Sequence, residues 1–232
     1  MDLIWDGIRE AFRIMVNGDY SVWEIALRSV FVSGTATAIA LLVGVTVGAA
    51  IAFNEFPGRN LVFSLVNTGM GLPPVVVGLI VAIMLWRSGP LGTLHLIYTP
   101  AAMIIAQLVI AAPIVTGFTA AALRNLHPRL RAQIYGLGAS RLQMLWLVLW
   151  EAKLPLLAAV MAGFGGAISE IGASLMVGGN LTGETRILTT AVVLQVQRGE
   201  FAAAIALGLI LLALIFLVNL ILTTVQQQEQ RS

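Results

Sequence analysis

The chain has no cysteine, one lysine (Lys153) and two histidines, His95 and His127, among its 232 residues. Without cysteine there are no disulfides, no iron–sulfur ligands and no thiolate metal sites. Charge is scarce as well. Asp, Glu, Lys and Arg make up 10% of the residues, against about 25% in an average soluble domain. No GxxxxGK[ST] stretch is present, so nucleotide binding through a phosphate loop is excluded. The two histidines fall at opposite ends of an apolar segment and cannot share a metal ion. No cluster of nucleophile and base stands out. The sequence therefore predicts a chain that is not an enzyme, with no catalytic residue, no metal site and no bound cofactor. A net charge of +2 and a pI near 9.5 reflect a few loop arginines rather than a face for nucleic acid.

What the chain does have is long apolar runs. It is 59% hydrophobic, with a mean hydropathy of +0.94, as expected of a protein embedded in a bilayer. Its beginning is not a secretory signal, because Asp2 and Asp6 stand where a positive region belongs and no apolar core follows. Instead Ile4, Trp5, Ile8, Phe12, Met15 and Val16 recur at helical spacing between Arg9, Glu10 and Arg13. That pattern fits a short helix in the membrane interface, or one packed on the protein's own flank.

Ser21 and Glu24 have capping-box spacing, which predicts a helix start there. The first span covers residues 23–53. At about 1.5 Å per residue it exceeds the roughly 30 Å hydrocarbon core, so it must tilt or project. Gly44 and Gly48 within it form a GxxxG pair that would let another helix approach closely. A turn with Pro57 and Gly58 follows. The second span, 60–86, is interrupted at Pro73 and Pro74, which lack the amide donors of a continuous helix. Such a break is tolerated where it is buried in protein or lines a polar cavity, and broken helices often line transport pathways. The third span, 99–123, contains Gln107 and Pro113. The fourth, 155–179, carries Ser169, Glu170 and Ser174 at membrane depth. Residues 187–197 are apolar but too short to cross, and read as re-entrant or interfacial. The last span is 201–225.

The expected fold class is thus all-α: a polytopic membrane protein of about five transmembrane helices. An N-terminal helix (1–20) precedes a single membrane domain (21–226), and a polar tail (227–232) ends the chain. The longest interruption, residues 124–155, holds Arg124, Arg129, Arg131, Arg141 and Lys153. Basic loops stay on the cytoplasmic side. This places the N-terminus outside and the C-terminus inside.

That basic loop resembles the "EAA" loop of permease subunits of type I ATP-binding cassette importers. Leu137-Gly138-Ala139-Ser140 matches the family's glycine block, Val148 falls at its aliphatic position, and Pro155 matches a second proline at the next span. The opening Glu-Ala-Ala is replaced by Ala132-Gln133-Ile134, and the usual Leu-Pro by Trp150-Glu151. Leu72-Pro73-Pro74 through Gly78 is similar to the broken helix of molybdate permeases. Ser169-Glu170-Ile171-Gly172-Ala173-Ser174, with Gly179-Asn180 and Gly183 to Arg186, resembles a block of the oxyanion branch, which handles tungstate, molybdate and sulfate. In detail these blocks look most like tungstate permeases.

The resemblance implies a translocation subunit that works as a homodimer in the plasma membrane of a bacterium or archaeon. It implies as partners two ATPase subunits, which hold ATP and Mg, an extracytoplasmic oxyanion-binding protein, and membrane lipid, with no nucleic acid. A coupling helix at about 128–136 would sit on the ATPase, with Gly138 allowing the turn to a second helix. Coupling residues would be Arg129, Arg131, Ala132, Gln133, Tyr135, Leu137, Gly138, Ala139, Ser140 and Arg141, with Leu142 adding apolar contact. A path for a tetrahedral dianion should offer hydroxyls, amides and helix ends. Candidates are Asn67, Thr68, Gly71, Pro73, Pro74, Gln107, Ser169, Glu170 and Ser174, with amides freed around 71–74. An ionisable residue within a span costs about 2.5–3.5 kcal/mol and a carboxylate repels a dianion, so Glu170 reads as an anchor between helices, with Gln107 as partner. Asn180, Thr185 and Arg186 are candidates for docking the binding protein. A molybdate or sulfate permease of the same type is the alternative within the class. A stand-alone secondary anion transporter is the alternative outside it, and the chain shows no clear internal repeat to favour it.

Overall fold

A computed structural model describes residues 2–17, 20–126 and 128–231. His127, expected at one end of an apolar segment, lies outside them. No strand occurs among the described residues. The helices are α1 (Asp2–Asn17), α2 (Tyr20–Phe53), α3 (Arg59–Met70), α4 (Pro74–Leu85), α5 (Pro100–Arg124), α6 (Pro128–Gly136), α7 (Arg141–Glu151), α8 (Lys153–Ile168), α9 (Gly172–Gly178), α10 (Leu188–Gln197) and α11 (Phe201–Arg231).

Three of the five expected spans are unbroken helices long and apolar enough to cross a membrane: α2, α5 and α11. The other two are bent. α3 and α4 meet at 102°, so residues 60–86 are not one rod. Each half has 12 residues, about 18 Å of rise. The cause is local. Pro73 is extended and Pro74 opens α4, so neither donates an N–H that would continue α3. The expected fourth span is likewise α8 followed by α9, interrupted at 169–171. α7 turns by 70° into α8. α2 already includes Tyr20, and the Glu24 carboxylate pairs with Arg28 one turn on. The polar tail continues α11 as helix up to Arg231.

The central contact is α2 against α5, and it is made by small residues. A Cβ at Gly44 would lie 2.8 Å from the Val115 side chain, and one at Gly48 would lie 2.9 Å from the Thr116 carbonyl oxygen. Between helices in lipid there is no hydrophobic driving force, so close backbone approach supplies the packing. Ala40 of α2 and Ala111 and Val115 of α5, all fully buried, pack together in the same seam. Buried Thr37 and Thr116 donate to carbonyls of their own helices, Ser33 and Ala112, both at 2.7 Å.

α1 packs on α11 through its own small face. Gly7 and Ala11 are buried, and a Cβ at Gly7 would overlap Ile205. Its large residues Ile4, Trp5, Ile8 and Phe12 remain exposed. The helix therefore rests on the flank and still presents an apolar face outward. α11 is the least enclosed crossing helix, with Leu212, Phe216, Leu217 and Ile221 all exposed.

The α2–α5 seam gives a direct test. Gly48→Val should lower unfolding stability by about 1–3 kcal/mol through overpacking against backbone. Gly34→Ala, on the same helix with open space around it, should be near neutral. Unfolding in mixed micelles checks both, and equal effects would show that the seam is not tightly packed.

Candidate functional site

The two ends of the bundle carry different constellations. At one end lie the close of α2, the start of α3 and the basic loop. Arg59 donates to the Ile51 and Ala52 carbonyls at 2.9 and 3.2 Å. Arg124 sits 4.9 Å over the Phe63 ring and Arg131 4.3 Å over the Phe53 ring.

The loop itself is two helices joined by a tight turn. Gly138, two residues past the end of α6, lies in the left-handed region, φ +82°. The Gly138 N–H donates to the Tyr135 carbonyl at 2.9 Å and the Ala139 N–H to the Ile134 carbonyl at 3.3 Å. This is a Schellman closure, with glycine where a side chain would be strained. Ser140 then caps α7. Its hydroxyl accepts from the Gln143 N–H at 3.3 Å, while the Gln143 side chain accepts from the Ser140 N–H at 2.8 Å. This reciprocal box was not read from the sequence, although Ser140 and Gln143 stand at the right spacing.

The hairpin is pinned by Ile134, Met144 and Val148, which pack with Ala49 and Ala52 of α2 and Leu123 of α5. Its outer face is free of such packing. Leu137 is 88% exposed and Leu142 77%, with Tyr135, Ala132, Gln133 and Arg141 also exposed beside them. Arg129 is exposed on the same helix. Ala139 is half-buried, and Arg131 is turned inward onto Phe53, so these two hold the hairpin rather than its rim.

Deeper in the bundle the two helix breaks meet. A Cβ at Gly78 of α4 would lie 2.5 Å from the Ala173 Cα of α9, and one at Gly172 would lie 2.5 Å from the Val75 side chain. Gly69, before the first break, abuts Pro113 of α5 with 2.8 Å available to a Cβ. Asn67, Thr68, Gly71, Pro73, Pro74 and Ser169 are exposed around this region. The expected free amides at 71–74 are not there. The Gly71 and Leu72 N–H groups donate back to Thr68 and Gly69 at 3.0 and 3.4 Å, and the prolines have none.

Gln107, Glu170 and Ser174 belong to the interior instead. One Glu170 oxygen accepts from the Ala173 N–H at 2.6 Å. The other accepts from the Ser174 N–H at 2.9 Å and the Ser174 hydroxyl at 3.0 Å. The carboxylate thus caps the first turn of α9. Gln107 Nε2 donates to the Ser174 hydroxyl at 3.3 Å, and Thr189 donates to the Glu170 carbonyl at 3.1 Å. Glu170 is 4% exposed, and Gln107 and Ser174 are fully buried. These three do not line a surface that a passing anion could touch from this chain. Glu170 is an anchor, and its link to Gln107 runs through Ser174.

The opposite end holds the 179–187 loop. Gly179, Asn180 and Gly183 all have positive φ. Thr185 is fully buried. Its hydroxyl bonds the Gly178 carbonyl and accepts from the Leu181 N–H at 2.9 Å. As a docking residue Thr185 is therefore corrected: it staples the loop from within. Arg186 donates to the Asn180 side chain and carbonyl at 3.2 and 3.3 Å. Burial, with Arg198 adding like charge, pushes its pKa below the ordinary arginine value. The residues that face outward are Leu181, Thr182, Gly183 and Glu184. The sequence reading missed Arg28, which donates to the Gly183 and Arg186 carbonyls at 2.7 and 3.2 Å and ties the loop to α2. An arginine at the head of a span, one turn from Glu24, was the available signal.

Residues 20–230 match the family of binding-protein-dependent transport system inner membrane components. The chain belongs to this family. It is 40% identical over 228 residues to a tungstate uptake system permease protein of Peptoclostridium acidaminophilum, covering 98% of this chain and 100% of that one. A probable anion ABC transporter permease of Haloferax volcanii is 40% identical over 84% of this chain and 87% of its own. The molybdenum transport system permease of Escherichia coli K12 is more distant, at 27% over 78% of this chain and 84% of its own. A crystal structure of an amino acid ABC transporter with histidines has the same fold. It shows a TM-score of 0.62 at 16% identity, covering 94% of this chain and 96% of that one. The permease is thus an all-α, multi-pass inner membrane protein of the ABC importer type.

The Glu170 cap separates structure from transport. Glu170→Gln replaces an acceptor oxygen by an NH2 that faces N–H donors, and should lower stability by about 1–3 kcal/mol. Transport per folded molecule should persist. Loss of transport in fully folded, membrane-assembled protein would place Glu170 in the path itself.

Proposed function

We propose that the permease is the translocation subunit of an ATP-driven tungstate importer and works as a homodimer. The similarity to two tungstate uptake permeases, one matched over its whole length, carries the choice of substrate. Molybdate and sulfate permeases match at lower identity.

ATP hydrolysis, with its Mg, belongs to a separate ATPase, because the chain has no phosphate loop of its own. The exposed cap of the hairpin supports this coupling. Tyr135, Leu137 and Leu142 leave a large apolar surface at the tip of a rigid Schellman turn. Burying Leu137 alone in an ATPase groove would gain about 1.5–3 kcal/mol. Arg129 and Arg141 supply a polar rim around it. Closure of two ATPase subunits then draws two hairpins together.

In this orientation the basic hairpin is cytoplasmic, the C-terminus is inside and the N-terminus outside. The 179–187 loop then faces the extracytoplasmic binding protein. Its outward apex, Leu181 to Glu184, meets that partner, and Asn180 and Arg186 hold the apex in shape. The dianion passes the exposed region of the helix breaks, where Asn67, Thr68 and Ser169 offer polar groups without fixed charge.

Vesicles bearing the permease with its ATPase and binding protein should take up tungstate only with ATP, and molybdate should compete weakly. Uptake without ATP would overturn the importer reading, and preferred uptake of another oxyanion would correct the ligand. Leu137→Asp should abolish ATPase association and uptake while leaving the membrane fold intact. Full coupling in that variant would remove the hairpin from the mechanism.

A further inference from the structure

A groove along the C-terminal half of α2 changes chemistry from one end to the other. Two cavities of about 520 and 600 Å³ form it, and they join at Val45, Thr46 and Leu149, which line both. The first is walled by α8 and α11 and is aliphatic, with Leu41, Leu156, Leu157, Val160 and Val225. The second opens at the hairpin end, where Arg131, Arg141, Tyr135 and Asn54 replace the aliphatic groups. Trp146 and Trp150 border the aliphatic part, stacked 6.4 Å apart, with the Lys153 ammonium 4.8 Å from the Trp150 ring.

We infer that this groove holds an anionic phospholipid of the leaflet on the hairpin side, with acyl chains along the aliphatic part and the phosphate at the arginines. The dimensions fit. From Leu41 to Phe53 the helix rises about 18 Å, and one leaflet with its headgroups is about 20–22 Å deep. Trp146, Trp150 and Tyr135 border the groove, residue types enriched at membrane surfaces, and clustered cations such as Arg131 and Arg141 attract anionic headgroups. A free oxyanion would use the basic end alone and leave the aliphatic part unfilled. The groove is bounded by α2 on one side and by α6 and α7 on the other. A bound lipid therefore braces the hairpin against α2. The assignment of the leaflet rests on the cytoplasmic placement of the hairpin proposed above, whereas the site itself does not.

The test captures lipid rather than measuring transport. The full-length permease in phosphatidylcholine vesicles is exposed to photoreactive phosphatidylglycerol or photoreactive phosphatidylcholine, and adducts are mapped. Phosphatidylglycerol should label peptides containing 41–54 and 146–160, about tenfold more than phosphatidylcholine does. Thr46→Trp, at the waist shared by both cavities, should abolish that labelling. Arg131→Gln, at the basic end, should reduce the headgroup preference and leave acyl labelling in place. Labelling elsewhere, equal labelling by the two lipids, or undiminished labelling in folded Thr46→Trp would overturn the proposal. If Thr46→Trp does not fold, the wild-type map and preference decide alone. The chain has no cysteine, so Thr46→Cys also gives a unique thiol. Its crosslinking to an ATPase or to a second copy would show a protein in the groove and overturn the lipid assignment. Lipid capture by a permease that fails to transport tungstate would leave this site standing and fault only the transport reading.

Discussion

In hydrocarbon every backbone N–H and C=O must find its partner within the protein, because no water is there to supply one. That constraint explains where this chain bends and what surrounds each bend. At the first break two consecutive prolines remove two donors. The amides just before them fold back onto Thr68 and Gly69, and the Val76 and Val77 N–H groups share the Pro73 carbonyl. At the second break there is no proline, and a side chain does the same work. The Glu170 carboxylate accepts the N–H groups of Ala173 and Ser174, while its own carbonyl accepts the Thr189 hydroxyl. A charged group bonded to backbone N–H is stronger than a neutral one, which is why a single residue can hold a helix start in place.

The same constraint accounts for the glycines. Apolar burial gives helices little reason to associate in lipid, so contact depends on how closely backbones approach. Gly44 and Gly48 seat α5 on α2, and Gly78 and Gly172 seat α4 and α9 on each other. α2 and α5 therefore form a rigid pair with contacts at both levels. The hairpin packs on Ala49, Ala52 and Leu123, and Gln107 of α5 bonds the capped start of α9. Gln107 and Leu123 are 16 positions apart on α5, about 24 Å of helix. The hairpin and the breaks are thus joined by one continuous helix pair.

The features legible in the sequence were those with local causes. Long apolar runs marked α2, α5 and α11, the double proline marked the first break, and Gly138 marked the turn whose left-handed backbone the fold uses. The GxxxG pair was visible but weak, because such spacings are common in glycine-rich spans, and only the geometry shows that α5 fills it. What escaped was closure between distant segments. Arg28 reaches carbonyls 155 and 158 positions away, and no periodicity encodes that. Thr185 read as a surface residue because it sits in a polar loop, yet its hydroxyl is consumed by Gly178 and Leu181. Gln107 reads from the sequence as the direct partner of Glu170, yet both bond Ser174 instead, which shows only once α5 and α9 are placed together.

The placement of Glu170 bears on how an anion can pass. A carboxylate and a dianion about 10 Å apart repel by roughly 3 kcal/mol at an effective dielectric of about 20. A permease with the anionic cargo proposed above gains from screening any negative charge near its path. Here the carboxylate is turned inward onto two backbone N–H groups and a hydroxyl, at the positive end of α9. The donors offset much of its field, and what faces outward at the same break is the Ser169 side chain, whose hydroxyl donates to the Gly165 carbonyl. O–H and N–H groups that donate to an oxyanion hold it less tightly than fixed cations would, and weak binding is what release on the far side requires; for Ser169 this means turning its hydroxyl away from the Gly165 carbonyl. The acid that closes the helix break is thus compatible with the proposed anionic cargo because the N–H and hydroxyl groups it accepts from screen its charge.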